Sequence, residues 1–193
     1  MMVRQIAIAA LLSLGTMVMG ALPSMARPGT IDAPDFGVNL RLRPSSQAPV
    51  IDALPDRTPI EILRIVNNPE PQESGVDWYY VRSTGRLKTE GWIRSGYLRF
   101  QPSNQIYGTL AGEPNDVINI RSTPSTQARV LHTGLVGDLV LVGQSKFVPL
   151  GNGYGRTGYQ WHYITYPNGA AGWVRGDLIS VWPRGCIITC PEH

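Results

Sequence analysis

The chain has few of the residues from which catalytic and metal sites are usually built. Its 193 residues include only two cysteines and three histidines, and its 14 acidic residues are scattered. A paired-carboxylate or nucleophilic site needs several such groups in one constellation, which this pattern does not supply. We therefore expect no catalytic residues, no metal site, no cofactor and no enzymatic activity.

A strong charge of one sign is also lacking. Seventeen basic residues face 14 acidic ones, for a formal net charge of +3 at pH 7. Only Lys88 and Lys146 are lysines, so arginine supplies almost all of the positive charge. This balance gives no argument for binding nucleic acid or an anionic membrane surface, and we expect no nucleic-acid partner.

Long apolar runs are lacking except at the start. Arg4 precedes the uncharged run Ile6–Leu22, Pro23 ends it, and Ser24-Met25-Ala26 has small residues at both cleavage-site positions. This order predicts a secretory signal peptide over residues 1–26. The alternative is an uncleaved anchor, because the run is close to the minimum length for a membrane span. The Ser-x-Ala exit and the proline favour cleavage.

With the leader removed, no later stretch is long and apolar enough to cross a membrane, and no cysteine near the site is available for lipid attachment. We therefore expect an extracytoplasmic protein, periplasmic, secreted or in the cell wall, with no membrane insertion after cleavage. In an oxidising compartment Cys186 and Cys190 are expected to form a disulfide, although a reduced pair without a role remains open. A zinc site would need two more ligands, and His193 is the only histidine close by.

What the sequence does have is an internal repeat. Residues Asn39–Val50 recur 80 positions later as Asn119–Val130, with seven identical pairs and no gap. Two further blocks follow in the same order with nearly the same offset: Trp78–Val81 as Trp161–Ile164, and Gly91–Arg94 as Gly172–Arg175. The chain therefore contains two copies of one unit.

Each copy predicts short strands and no helix. β-branched and aromatic residues cluster between Pro, Gly, Asn and Ser, and no segment keeps a helical period for three turns. Units this small with about five strands must close into barrels to hide their edges, and they are marginally stable alone. The short linker 101–105 suggests that the copies pack against each other. The strands predicted are Val38–Arg41, Ile60–Val66, Trp78–Arg82 and Gly91–Ile93, then Val117–Arg121, Leu139–Val142, Trp161–Thr165 and Gly172–Val174.

The order of the positions that the two copies share resembles the bacterial SH3-like (SH3b) domain. The pattern is Asn-x-Arg, then Pro-Ser, an apolar strand, Trp-x-x-Val/Ile and Gly-Trp-Val/Ile before a final Leu, and both copies have it. The resemblance implies an all-β chain with two tandem small SH3-like barrels of five to seven strands. It places them at residues 34–100 and 106–181, followed by a C-terminal tail at 182–193. It also implies attachment to the bacterial cell wall or another envelope component. The positions concerned are Asn39, Arg41, Pro44, Trp78, Val81, Gly91, Trp92, Ile93, Tyr97 and Leu98, and then Asn119, Arg121, Pro124, Trp161, Ile164, Gly172, Trp173, Val174, Asp177 and Leu178.

The two copies differ where a ligand site is expected. Copy one inserts an acidic, proline-rich loop at 67–75, and copy two inserts a basic, glycine-rich loop at 144–157. Tyr97 of copy one aligns with Asp177 of copy two, which leaves any aromatic site there less complete. If only one copy binds a ligand, we expect it to be the first.

Aromatic side chains are the candidate ligand contacts. Period-two spacing puts Trp78 with Tyr80, and Trp161 with Tyr163, on one sheet face, where they could hold a peptide or sugar by stacking. The resemblance adds Tyr97 to this groove. For Trp78 and Trp161 the sequence leaves groove and core open, whereas Trp92 and Trp173 are assigned to the core. The predicted ligand-binding residues are thus Trp78, Tyr80, Tyr97, Trp161 and Tyr163.

Two other motifs favour structural roles. Arg41 and Arg121, with Asn39 and Asn119, could contact a carboxylate, but local roles are favoured: the asparagines bond to nearby backbone and the arginine stems cover apolar surface. The run 153–158 has the spacing of a dinucleotide fingerprint, but a strand follows it instead of the helix that would receive the phosphates, so the match is accidental and the segment is a flexible loop.

The function expected from these features is an exported, monomeric, non-catalytic module that binds peptidoglycan or its peptide stems. The alternative is a periplasmic adaptor that docks another envelope protein without cell-wall affinity. SH3b modules often accompany papain-like wall endopeptidases, but Cys186 and Cys190 come too late in the chain for a catalytic domain to follow.

Overall fold

A computed structural model describes residues 26–33, 35–67, 76–85, 87–150 and 157–182. The described residues contain fourteen β-strands and no α-helix. None of their helical turns is long and apolar enough to cross a membrane. The predicted signal peptide, Cys186 and Cys190 lie outside the described residues.

The first seven strands form one antiparallel sheet. Its strand order is β3-β2-β6-β5-β4-β1-β7, so the first strand lies between the fourth and the last. The strands are β1 (Arg27–Ile31), β2 (Val38–Arg41), β3 (Val50–Leu54), β4 (Pro59–Val66), β5 (Trp78–Ser83), β6 (Glu90–Arg94) and β7 (Leu98–Phe100), with a 3₁₀ turn at Ser95–Tyr97 before the last.

The next seven strands repeat that arrangement in the order β10-β9-β13-β12-β11-β8-β14. Each strand of the second sheet therefore has a counterpart seven strands earlier in the first sheet, and this is the duplication predicted from the sequence. The strands are β8 (Ile106–Leu110), β9 (Val117–Arg121), β10 (Val130–Leu135), β11 (Leu139–Pro149), β12 (Gly158–Thr165), β13 (Ala171–Arg175) and β14 (Ile179–Val181), with a 3₁₀ turn at Gly176–Leu178.

Alternation of apolar and polar residues explains which side of each strand is buried. On β2, Val38 and Leu40 are buried while Asn39 between them is exposed. On β4, Ile60 and Ile62 are fully buried and enter the same core. Strand side chains point alternately to opposite faces, so this pattern gives each sheet one apolar side.

The eight predicted strands all exist, and six more were not predicted. β1 was missed because it begins directly after the predicted cleavage site and contains a proline. β11 is longer than expected, since Ser145–Pro149 continues it and pairs with β12 as far as Gly158. Part of the loop predicted at 144–157 is therefore a β-hairpin arm.

The two sheets pack against each other, as the short linker suggested. Tyr107 and Leu139 of the second sheet belong to the core of the first. The Ile65 N–H donates to the Gly137 carbonyl at 2.9 Å. Gly137 has φ +88°, and a Cβ there would collide with the Ile65 carbonyl, so this turn needs glycine for both its conformation and its contact.

An ion pair crosses the same boundary. Arg64 Nε lies 2.7 Å from Asp138 Oδ1, and these side chains are 30% and 15% exposed. Because both are largely shielded from water, the pair is worth more than a surface salt bridge and less than a fully buried one.

We expect Arg64→Ala and Asp138→Ala to be coupled by about 1 kcal/mol in a double-mutant cycle measured by chemical denaturation. The Arg175–Asp177 pair lies within the second sheet, and its aspartate is 52% exposed, so it is the matched control with a smaller coupling. A coupling energy near zero for Arg64 and Asp138 would show that this pair does not hold the sheets together.

Candidate functional site

Two of the predicted ligand contacts, Trp78 and Trp161, are buried. Trp78 is 1% and Trp161 2% exposed, so neither ring offers a face to a ligand and their assignment to a binding groove was wrong. Tyr79 and Val81 of the same strand face the first core, so Trp78 is buried on the opposite side of the strand. The spacing correctly placed Trp78 beside Tyr80, but it could not show that the chain covers Trp78.

The accessible aromatic pair in the first sheet is Tyr80 with Trp92. Their ring centroids lie 5.2 Å apart at 52°, and both rings are half-buried. Trp92, for which the sequence favoured a core position, is thus only half-buried. Trp92 stands directly opposite Tyr80 on the neighbouring strand, and Arg64 and Arg41 flank the two in the same register. These four side chains form one row across β4, β5, β6 and β2, which we call the aromatic row.

Hydrogen bonds fix the polar end of Tyr80. Its hydroxyl donates to Glu90 Oε2 at 2.9 Å, and Arg82 Nε donates to Glu90 Oε1 at 2.6 Å. Arg82 also lies 3.2 Å from Glu61. Burial, and to a smaller extent the hydrogen bond to Glu90, raises the pKa of Tyr80. The phenol therefore stays neutral, and its ring can stack against a ligand.

The second sheet has the aromatic pair without these charges. Tyr163 and Trp173 lie 5.5 Å apart at 72°, and Trp173 is half-buried, so it too is not wholly a core residue. Arg121 stands opposite Trp173, as Arg41 does opposite Trp92. At the positions equivalent to Arg82 and Glu90, however, the second sheet has Thr165 and Ala171.

Tyr97 is 43% exposed at the end of its 3₁₀ turn. Its counterpart is Leu178 and not Asp177, because Leu98 pairs with Ile31 as Ile179 pairs with Leu110. The sequence alignment of Tyr97 with Asp177 was thus wrong by one residue.

Asp177 has a partner within its own sheet. It accepts two hydrogen bonds from Arg175, the one from Nη2 at 2.7 Å, and this bonding lowers the pKa of the carboxyl. The second copy still lacks an aromatic ring at the position of Tyr97, since leucine occupies it.

Arg41 and Arg121 have local contacts, as expected, but these are hydrogen bonds to the backbone. Arg41 Nη1 donates to the Ala48 carbonyl at 2.7 Å, and Arg121 Nη1 donates to the Ala128 carbonyl at the same distance. Each guanidinium thereby closes the loop that follows its strand. Asn39 and the repeated asparagine are exposed.

A groove of about 700 Å³ lies where the two sheets meet. Trp92, Pro44 and Asn67 line it from the first sheet, and Asn115 and Trp182 line it from the second. Sequence reasoning missed this groove, because its two walls are distant in the chain. The aromatic row reaches it through Trp92.

The histidines occupy separate environments. His132 packs against the Tyr166 ring at 5.4 Å, and His162 Nδ1 lies 2.8 Å from the Ser145 hydroxyl. Burial lowers the pKa of both imidazoles, which favours their neutral forms near pH 7.

Across the described part of the chain, no group of three or more His, Cys, Asp or Glu side chains is placed to hold a metal ion. Residues 153–156 of the accidental fingerprint lie outside the described residues, and the predicted strand that follows it is β12.

Comparison with known proteins identifies the first unit. Residues 37–99 match the family model of the bacterial SH3 domain, so this part of the chain is a bacterial SH3 domain. The match runs from the residue before β2 to the middle of β7. The second sheet lies outside it and repeats its strand order.

Two solved structures are similar to the chain. NlpC1 from Trichomonas vaginalis is 17% identical with a TM-score of 0.31, over 83% of this chain and 47% of that protein. NlpC2 from Trichomonas vaginalis is 18% identical with a TM-score of 0.26, over 81% of this chain and 48% of that protein. The chain thus spans about half the length of these structures. A search of curated proteins found no match.

Proposed function

We propose that this chain is an exported, non-catalytic module that attaches to the bacterial cell envelope by binding peptidoglycan. The bacterial SH3 domain at 37–99 supports an extracytoplasmic role, since domains of this family are typically found outside the cytoplasm and bind cell-wall material. The signal-peptide pattern of residues 1–26 supports export.

The observation that carries the proposal is the aromatic row. Tyr80 and Trp92 present half-buried rings side by side on the outer face of the sheet, and hydrogen bonds hold the Tyr80 hydroxyl in place. Rings fixed in this way offer a large contact area at little cost in conformational entropy. The equivalent pair Tyr163 and Trp173 gives the second sheet a weaker version of this surface, without the counterparts of Arg82 and Glu90.

Retention by purified sacculi tests this function. We expect Tyr80→Ala with Trp92→Leu to weaken retention at least about tenfold, which corresponds to ~1.4 kcal/mol and is within the range for two stacked rings. Tyr163→Ala with Trp173→Leu should have a smaller effect. Phe147→Ala is the control, because this exposed ring lies on the hairpin arm of the second sheet. The proposed site is wrong if the Tyr80 and Trp92 variant is retained as strongly as the unsubstituted protein.

A periplasmic adaptor is the second candidate, and the hairpin arm favours it. Strand β8 pairs with β11 only as far as Val142, so no other described strand covers this edge of Ser145–Pro149, and Phe147 and Leu150 are exposed beside it. Open edges and exposed apolar side chains are features of docking surfaces. If this candidate is correct, an envelope protein co-purifies, sacculi do not retain the chain, and Phe147→Ala removes the partner.

A further inference from the structure

We propose that the groove between the two sheets binds the glycan strand of peptidoglycan, a chain of neutral N-acetylated sugars, and that the charged peptide stem does not occupy it. The inference rests on the proposed function and adds to it the part of the polymer that is bound. It also assigns the ligand to a surface that neither sheet forms alone.

The lining chemistry suits a sugar. Trp92 and Trp182 line the groove from opposite sheets, and the side-chain amides of Asn67 and Asn115 line the same groove. Sugar rings have apolar C–H faces that stack on aromatic rings, and hydroxyl and acetamido groups that bond to amides. Both asparagines are exposed, so their amides are accessible from solvent.

The charge of the groove distinguishes the glycan from the stem. Among the described residues that line it, Arg64 is the one charged side chain, and its Nε already donates to Asp138 at 2.7 Å. A stem peptide would bring carboxylate and ammonium groups into a groove whose one charged side chain, among the described lining residues, is already ion-paired. Removing charges from water without partners is costly, whereas a neutral glycan avoids that cost.

The groove is held open before any ligand arrives. Arg64 with Asp138, and the Ile65 N–H with the Gly137 carbonyl, join the two walls. Its volume of about 700 Å³ falls within the range of small-molecule sites, which often lie where two domains meet. A preformed site loses little entropy on binding.

Calorimetric titration of the full mature chain with tetra-N-acetylchitotetraose tests the assignment. We expect Asn67→Asp with Asn115→Asp to raise Kd at least about tenfold, because each change replaces an amide donor with a charge beside the ligand. Aspartate tolerates the φ of +72° at position 115 as asparagine does, so the fold should persist. Asn39→Asp with Asn104→Asp is the matched control, since both residues are exposed and neither lines the groove.

The stem tetrapeptide L-alanyl-γ-D-glutamyl-L-lysyl-D-alanine should not compete with the sugar. Retention by sacculi, measured on the same samples, separates the two proposals. If sacculi retain the chain but the tetrasaccharide does not bind, or binds the groove variant as tightly as the control, the glycan assignment is overturned and the proposed function stands. If sacculi do not retain the unsubstituted chain, the proposed function is overturned and the glycan assignment with it.

Discussion

Replacing Trp78 with alanine should lower the free energy of unfolding by about 3–5 kcal/mol, the range found when large aromatic side chains are removed from protein interiors. The ring is 1% exposed, so the change leaves a cavity and loses the burial of a large apolar surface. Small domains have a low free energy of unfolding, so a loss of this size is a large part of it. Chemical denaturation followed by far-UV circular dichroism measures it.

Tyr80→Ala is the control with which the stability loss of Trp78→Ala is compared. Tyr80 lies two residues further along the same strand and is half-buried, so its removal should cost clearly less than that of Trp78. The two variants should therefore separate stability from binding: Trp78→Ala lowers the free energy of unfolding, and Tyr80→Ala weakens retention by sacculi. If Trp78→Ala folds with unchanged stability, its ring is not a structural element and its role in binding must be reconsidered.

Replacing Arg27 with alanine is expected to cost about 2 kcal/mol or more, the upper range for a desolvated cation–π contact. Its guanidinium carbon lies 4.2 Å from the Phe100 ring centroid, 5.3 Å from that of Tyr107 and 5.0 Å from that of Trp182. Arg27 opens β1, and the three rings come from β7, from β8 and from the residue after β14. One side chain of the first described strand thus contacts residues of both sheets.

Arg27→Met separates the packing of this side chain from its charge. The residue is 5% exposed and burial lowers the pKa of its guanidinium, so the charge itself carries a desolvation cost. Methionine keeps an unbranched apolar stem and avoids that cost, and it should recover more than half of the stability lost in Arg27→Ala. Thermal unfolding of both variants gives the comparison. If Arg27→Ala and Arg27→Met are equally destabilising, the cation–π contacts dominate over packing. If neither variant is destabilising, the contacts of Arg27 with the three rings do not hold the sheets together.

The sequence predicted the framework better than the surface. Eight strands could be predicted because Val, Ile and aromatic residues alternate between turn residues, and the repeat gave two independent readings of each. β1 was missed because it follows the predicted cleavage site and contains a proline, and β7 because a strand of three residues has little pattern of its own. Period-two spacing correctly put Trp78 and Tyr80 on one face, but it could not show that one ring is covered and the other is open.

The repeat also misled in one place. Aligning the copies without structure paired Tyr97 with Asp177, because both precede a leucine. The strand pairing of Ile31 with Leu98 and of Leu110 with Ile179 shows that Leu178 is the counterpart of Tyr97. Register in a sheet is fixed by hydrogen bonding to neighbouring strands, and those neighbours are remote in sequence.

The sequence by itself determined that the chain contains two copies of an all-β unit and that the first aligns with the bacterial SH3 domain pattern, because repetition and alternation are local properties. Tertiary structure alone decided which aromatic rings are accessible. It also decided that Arg64 bonds to Asp138, that Arg27 joins the two sheets and that a groove forms between them. Each of these depends on which strands become neighbours and on what covers the outer face of a strand, and that information is spread over residues far apart in the chain.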